Sequence, residues 1–183
     1  MGSGGREHAL GWKLAQSPKV GTIYHAPGNG GTGNNVEIEV HEIEKLAQFA
    51  SEKNCLTVVG PEIPLAAGIV DVFQKKGIAI FGPTQDAARL ESSKVWAKNF
   101  MKRNGIPTAR FEIFDDAAKA KEYVRSVDCS FVVKADGLAA GKGVIVPTFG
   151  LWASFHPRAC SRPPEPTTKM STNDFSLFDS YKS

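Results

Sequence analysis

The stretch LTVVGPEIPLAAGIVDVFQKKGIAIF, Leu56 to Phe81, holds two short apolar runs separated by a turn and a helix-length segment. Leu56-Thr57-Val58-Val59 and Ile78-Ala79-Ile80-Phe81 are apolar, contain β-branched residues and border glycine, which predicts strands. Leu65 to Lys76 between them predicts a helix. Strand, helix and strand in that order place the two strands parallel, joined by a right-handed crossover.

The flanking sequence repeats the pattern. Ala9, Leu10, Trp12, Leu14 and Ala15 predict a short helix from Arg6 to about Ala15, ending near Ser17-Pro18. Thr22 to Ala26 reads as a strand stopped by Pro27-Gly28-Asn29-Gly30-Gly31, and Val36 to Val40 alternates as a half-exposed strand. Glu42 to Lys53 predicts a helix with Ile43, Leu46, Ala47 and Ala50 on one face. Repeated β-α-β units define an α/β fold with a doubly wound parallel sheet over residues 1–92. A polar helical stretch from Asp86 to Asn104 spans the boundary, placed near Glu91 to Lys94. Residues 93–146 restart the pattern: strand Ala109 to Phe114, helix Asp115 to Val127 capped by Asp115 or Asp116, strand Phe131 to Ala135, a glycine loop and a short strand Val144-Ile145-Val146. That unit is too small for a complete domain. Residues 147–183, with Pro147, Pro157, Pro163, Pro164 and Pro166 among Ser and Thr, read as an irregular, disordered tail. Met1 stands where a strand leading into a glycine turn is expected to end, so the chain reads as cut at both ends.

Composition narrows the function classes. At 183 residues, 42% hydrophobic and 22% charged, the sequence is that of a globular protein without an apolar run of about 20 residues for a membrane helix. It lacks a secretory or transit signature, which predicts a cytoplasmic location and no membrane partner. A net charge of +3 without a basic run argues against nucleic acid. Cys55, Cys129 and Cys160, and the four histidines, form no metal spacing.

The chemistry rests on glycines and lysines. Gly2-Ser3-Gly4-Gly5-Arg6 precedes a helix, where free amides and the helix dipole favour a phosphate; the same residues also fit a Gly-Ser expression scar. Pro27 to Thr32, with Gly28 and Asn29, and Gly60-Pro61-Glu62 follow strands, so these loops lie at the ligand end of the sheet, although turn chemistry explains either one taken singly. The strongest signal is VVKADGLAAGKGVIV, Val132 to Val146. Lys134 lies inside an apolar strand and needs an anionic partner there. Gly137, Gly141 and Gly143 surround Lys142 in a loop able to fold its amides over phosphate oxygens. The spacing is one short of GxxxxGK, Gly143 replaces Ser or Thr, and a strand follows, so the reading is a hairpin lid and not a Walker P-loop. Lys94, opening the helix of the second unit, reads as a surface lysine when taken alone.

In order and wording, GSGGREH, APGN, VGPE with PLAAGI, FGPT, ESSK and KADGLAAGKGV resemble phosphoribosylamine-glycine ligase, a family of ATP-grasp enzymes, from Gly2 to about Val146. The resemblance favours the family's own loop over a scar at Gly2 to Gly5. It implies a Rossmann-like pre-ATP-grasp domain followed by the beginning of an ATP-grasp domain. The implied reaction joins glycine to 5-phosphoribosylamine through a glycyl phosphate made with ATP, a step of purine synthesis. Lys94, Lys134, Gly137, Gly141, Lys142 and Gly143 would then hold ATP, with Lys134 and Lys142 catalytic. Gly2, Ser3, Gly4, Gly5, Arg6, Gly28, Asn29, Gly60, Pro61 and Glu62 would face phosphoribosylamine. Mg²⁺ or Mn²⁺ would be held by residues further downstream and none in this chain. After Val146 the sequence departs from the family, which implies a shifted or read-through end, a truncated chain without turnover of its own, and a parent that is either a single ligase or the front of a multifunctional purine enzyme. A non-catalytic interaction product is the alternative reading, and another ATP-grasp ligase such as a biotin carboxylase the third.

Overall fold

A computed structural model describes residues 1–126, 131–138 and 143–145, and the backbone of residues 175–179. Two compact units divide the chain, Met1–Ser92 and Ser93–Ser183.

The first unit contains α1 (Gly5–Ala15), α2 (Ile43–Glu52), β1 (Thr57–Val58), α3 (Glu62–Ala66), α4 (Ile69–Lys75), β2 (Ile80–Phe81) and α5 (Gln85–Ser92). β1 and β2 pair in parallel, Thr57 against Ile80 and Val58 against Phe81, as the crossover reading requires. The parallel order extends on the other side of β1 through backbone hydrogen bonds. Met1 lies between Val58 and Ala26: its ammonium donates to the Val58 carbonyl (2.9 Å), the Gly60 amide donates to the Met1 carbonyl (3.3 Å), and the Gly2 amide donates to the Ala26 carbonyl (2.7 Å). His25 then bridges Asn35 in parallel.

The expected strand Thr22–Ala26 contracts to the bridge at His25, and the expected strand Val36–Val40 does not form, its pairing ending with the Val36 amide on the His25 carbonyl. Gly21 to Tyr24 border a cavity in place of a paired backbone on one side, and the chain turns out of the ladder after Val36, where the Ile38 amide donates to the Val36 carbonyl. The helix expected over Leu65–Lys76 is two, because Gly68 sits at φ +85°, a left-handed conformation that interrupts an α-helix. Its neighbours fix the break: Asp71 Oδ2 accepts from the Gln85 amide (2.7 Å) and Gln85 Nε2 donates to the Ala66 carbonyl (3.0 Å).

The core of this unit forms where α2 and α4 cover the sheet. Leu46, Ala47 and Ala50 of α2, at helical spacing, meet Ile69, Val70 and Phe73 of α4, with Val59, Ile78 and Ile80 packed against them. α1 is the helix expected from Arg6 to about Ala15. It buries Glu7 and Gly11, whereas Leu10 is 44% exposed and Trp12 65% exposed.

The second unit contains α6 (Lys94–Arg103), β3 (Phe111–Phe114), α7 (Ala117–Ser126), β4 (Phe131–Ala135), β5 (Val144–Ile145) and β6 (Phe175–Asp179) in an antiparallel sheet of order β3-β6-β4-β5. The helix expected from Asp86 to Asn104 breaks at Ser93, whose extended backbone and Oγ, accepting from the Trp96 amide (3.1 Å), cap α6. Asp116 is the cap of α7; Oδ1 accepts from the Ala118 and Lys119 amides, and these bonds hold its carboxyl below the usual carboxylate range. β6 lies within the stretch read as irregular. Its backbone pairs with β3 on one side and β4 on the other, a long-range partnership that local composition does not encode. Among the described residues no helix is long and apolar enough to cross a membrane.

Phe73 is fully buried at the centre of the first core. Phe73→Ala is expected to lower the unfolding free energy by about 3–5 kcal/mol, seen as a lower urea midpoint.

Candidate functional site

The three glycine loops of the first unit come together. The Gly2 carbonyl accepts from the Gly28 amide (3.3 Å), Asn29 Nδ2 donates to the Ser3 carbonyl (3.0 Å), and Arg6 Nη2 pairs with Glu62 Oε2 (2.9 Å) beside Gly60-Pro61. Gly2, Ser3, Gly4, Gly5, Arg6, Gly28, Asn29, Gly60, Pro61 and Glu62 therefore share one end of the sheet, with Gly28 at φ +79° and Pro61 in the extended N-cap position of α3. A turn in the first loop is not simply a row of open amides, since Gly2 is committed to Ala26 and the Gly4 amide donates to Glu7 Oε2 (2.8 Å).

Glu7 organises this cluster and was not singled out from the sequence. It is only 8% exposed, and a Cβ on Gly2, Gly4 or Gly60 would come within 2.3, 2.6 and 2.3 Å of its side-chain atoms. Three of the loop glycines are therefore required by packing against one carboxylate, independently of any ligand. Oε1 of Glu7 is buried without a hydrogen bond among the described residues and lies 3.6 Å from Arg6 Nε. His8, on the next position of α1, faces the second loop, where a Cβ on Gly31 would approach its ring at 2.7 Å.

In the second unit Asp136 ties the end of β4 to the start of α6. Its carboxylate accepts from Ser93 Oγ (3.0 Å) and the Val95 amide (3.1 Å), and this places Lys94, whose Nζ donates to the Gly137 carbonyl (2.8 Å). Lys134 is half-buried on β4, less enclosed than a lysine within an apolar strand suggests. A third lysine, missed at the sequence level, joins them: Lys98 lies one turn beyond Lys94 on α6 and donates to Thr108 Oγ1 (2.6 Å) and the Ala109 carbonyl (3.1 Å). Desolvation, and then the positive charge of Lys134, push Lys98 below the ordinary lysine value. The i, i+4 spacing of Lys94 and Lys98 was the available signal. The positive charges of Lys98 and Lys134 thus act on one another across the sheet and helix of this unit. β4 and β5 form the expected hairpin, with the Ala135 amide donating to the buried Gly143 carbonyl (2.8 Å) and Gly137 at φ +91° opening the connection. Gly141 and Lys142 lie outside the described residues. No group of three or more His, Cys, Asp or Glu able to hold a metal occurs among the described residues.

A parallel α/β unit with converging glycine loops, followed by an antiparallel unit with a lysine-bearing glycine hairpin, defines the ATP-grasp class of ligase architecture, and comparison with known proteins agrees. Residues 1–91 match the family described as phosphoribosylglycinamide synthetase, N domain, and residues 92–153 its ATP-grasp (A) domain. The chain belongs to the phosphoribosylglycinamide synthetase family. The match continues to residue 153, beyond the point near Val146 where the sequence motifs end. Phosphoribosylamine–glycine ligase of Ralstonia nicotianae is 59% identical over 150 residues, 80% of this chain and 36% of that protein. The enzyme of Vibrio vulnificus is 57% identical over 152 residues, 80% of this chain and 35% of that one. The crystal structure of phosphoribosylamine–glycine ligase from Thermotoga maritima superposes with TM-score 0.60 at 39% identity, covering 79% of this chain and 34% of that one. N5-carboxyaminoimidazole synthetase from Staphylococcus aureus, complexed with ADP, shares the fold at TM-score 0.53 and 13% identity, covering 84% of this chain and 36% of that one. The chain thus spans about a third of the length of the curated relatives it matches.

Gly60→Ala drives a methyl group into Glu7 and is expected to destabilise the first unit by about 1–3 kcal/mol. Glu7→Ala in the same chain removes the clash, so a double-mutant cycle by thermal unfolding should show the two costs to be less than additive. The Arg6 hydrogen bond and charge hold Glu62 below its ordinary value of 4.5. The pair's contribution is complete above that value and disappears as pH falls through the lowered one. Arg6→Ala should move the Glu62 carboxyl titration, followed by NMR, upward.

Proposed function

We propose that this chain supplies the phosphate-handling front part of a ligase that couples ATP to the joining of glycine and 5-phosphoribosylamine. The observation that carries the reading is the lysine cluster of the second unit, in which Lys98, lowered by desolvation and then by the charge of Lys134, stands one turn beyond Lys94, itself held against the Gly137 carbonyl. In the proposed arrangement Lys94, Lys134 and Lys98 receive the phosphates of ATP, and the glycine hairpin with Gly137, Gly141, Lys142 and Gly143 folds over them. The concentrated positive charge of the lysines favours the transferring group as negative charge shifts during reaction. Lys134 and Lys142 are the catalytic candidates.

The chemistry explains why ATP is needed. A carboxylate resists attack by an amine; phosphorylation converts it to an acyl phosphate, and attack by the amine of 5-phosphoribosylamine forms the amide and expels phosphate. The loops of Gly2 to Arg6, Gly28-Asn29 and Gly60 to Glu62 are proposed to face the phosphoribosyl group, with Arg6 as its positive side chain. The described residues do not fit a Mg²⁺ or Mn²⁺ site, and no step is assigned to a metal on them. A cytoplasmic setting and small-molecule substrates accompany this reading, and the parent is either a single ligase or one part of a larger purine enzyme.

A non-catalytic binding fragment is the second reading. Glycine-dependent formation of glycinamide ribonucleotide by purified chain excludes that reading; ATP binding without turnover supports it. In either case Lys134→Met is expected to weaken ATP binding by about tenfold or more, measured by calorimetry, through loss of a charge-assisted phosphate contact. The same substitution removes the smaller of the two causes that lower Lys98, burial being the larger, so the Lys98 titration should rise part of the way towards its ordinary value of 10.5.

A further inference from the structure

Arg6, the positive side chain of the glycine-loop face, already holds a carboxylate. Its side chain is 70% exposed, and Nη2 donates to Oε2 of Glu62 (2.9 Å). Glu62 opens α3 directly after Gly60-Pro61, so the pair joins the first and third loops at their outer rim. On the inner side, Arg6 Nε lies 3.6 Å from Glu7 Oε1. The two carboxylates are held very differently. Glu7 is buried, accepts the Gly4 amide and is approached closely by Gly2 and Gly60. The Glu62 side chain is 38% exposed and stands at the rim. The hydrogen bond and charge of Glu62, then the charge of Glu7 and more weakly that of Glu91 on α5, raise Arg6 above its ordinary value. The bond from Arg6 in turn lowers Glu62.

An anion arriving at this face therefore competes with Glu62 for the guanidinium. An exposed ion pair is weakly held, so exchange is open to it. The exchange is unequal, however. A free carboxylate offers Arg6 the same chemistry as Glu62, which is tethered to the same chain and so present at a high effective concentration. A phosphomonoester dianion brings more charge and several oxygens that match the guanidinium fork. The cost of displacing Glu62 is the same for every anion, and it removes the weakly bound ones from the range of concentrations at which they would occupy Arg6.

We propose that Glu62 is a specificity-determining residue of this face: its carboxylate occupies Arg6 until the phosphate of a phosphomonoester displaces it, and so keeps carboxylates, that of glycine included, off the guanidinium. Glu7, fixed by burial, keeps its charge beside Arg6 Nε during the exchange, while Glu62 turns to solvent. The proposal rests on the reading of these loops as the phosphoribosyl face. It gives that face a means of separating the two anionic substrates of the reaction, a phosphate ester and an amino acid, by an internal competitor.

The probes are ribose 5-phosphate, sulfate and acetate, added to the whole chain while the Arg6 Nε–H and Glu62 carboxyl signals are followed by NMR. Ribose 5-phosphate at neutral pH should shift both signals, and acetate at the same concentration neither. Sulfate stays doubly charged through the carboxylate range, so at saturation it should bring the Glu62 titration up towards its ordinary value of 4.5. Glu62→Gln is expected to tighten ribose 5-phosphate binding by about two- to fivefold and to let acetate reach Arg6. Glu62→Ala, which carries no amide group to replace the carboxylate, should do the same. Weaker binding in either variant, a Glu62 titration unmoved by saturating sulfate, or acetate acting on the unaltered chain as strongly as ribose 5-phosphate would each overturn the proposal and leave the phosphoribosyl reading standing. No response of Arg6 to ribose 5-phosphate in the unaltered chain or in either variant would overturn both.

Discussion

The first unit depends on the enclosure of one carboxylate. Glu7 stands in the first turn of α1 with its side chain turned inward, and two backbone segments approach it so closely that a Cβ at Gly2, Gly4 or Gly60 would meet its side chain. One carboxylate oxygen accepts the Gly4 amide, which fixes the entry of the chain into the helix. Because Gly2 lies in the ladder beside Ala26, and Gly60 follows β1, the same side chain sets the distance between loops that come from different parts of the sequence. The Arg6–Glu62 pair then joins the outer rim. Glycine in such a loop is usually interpreted through its amides and their affinity for phosphate. Here steric demand from inside the protein gives an independent reason for the same residues, and the two roles coexist: the enclosure of Glu7 positions the loops that a ligand would meet.

The second unit solves a related problem with a different device. Asp136 follows the lysine-bearing strand and accepts from the first turn of α6, so the helix start, the end of β4 and the first residues of the glycine hairpin are held as one piece. Lys94 and Lys98 project from successive turns of that helix, and the charge of Lys134 reaches Lys98 from β4. Gathering cations at a partly desolvated place costs free energy, and this is the physical basis for proposing that the site receives a polyphosphate. Membership of the phosphoribosylglycinamide synthetase family is in keeping with that assignment.

Local sequence chemistry and tertiary packing divide the work visibly along the chain. Leu56–Val59 and Ile78–Phe81 were legible as parallel strands because their composition and spacing are local, and the α2 face of Leu46, Ala47 and Ala50 follows from helical period alone. The single helix expected from Leu65 to Lys76 failed at Gly68, because its left-handed backbone is stabilised by Asp71, Gln85 and Ala66, contacts that a local pattern does not contain. α1 formed where its apolar positions predicted a helix, but which face it buries was not legible: the helix packs through Glu7 and Gly11 and leaves Leu10 and Trp12 exposed. Lys98 was passed over because a lysine on a helix is normally solvated, and its significance comes from Lys134, 36 positions away in sequence.

The amino-acid sequence by itself determined the parallel α/β character of the front part, the glycine loops, the lysine hairpin and, through six ordered motifs, the family. These are properties of short segments, set by period, turn residues and motif wording. Tertiary structure decided that Glu7 dictates the glycines, that Asp136 places Lys94, that Lys98 belongs with Lys134, and that residues 175–179 enter the second sheet between β3 and β4. Each of these joins residues far apart in the chain through a contact only a few ångströms long, and such contacts exist only once the intervening segments have folded.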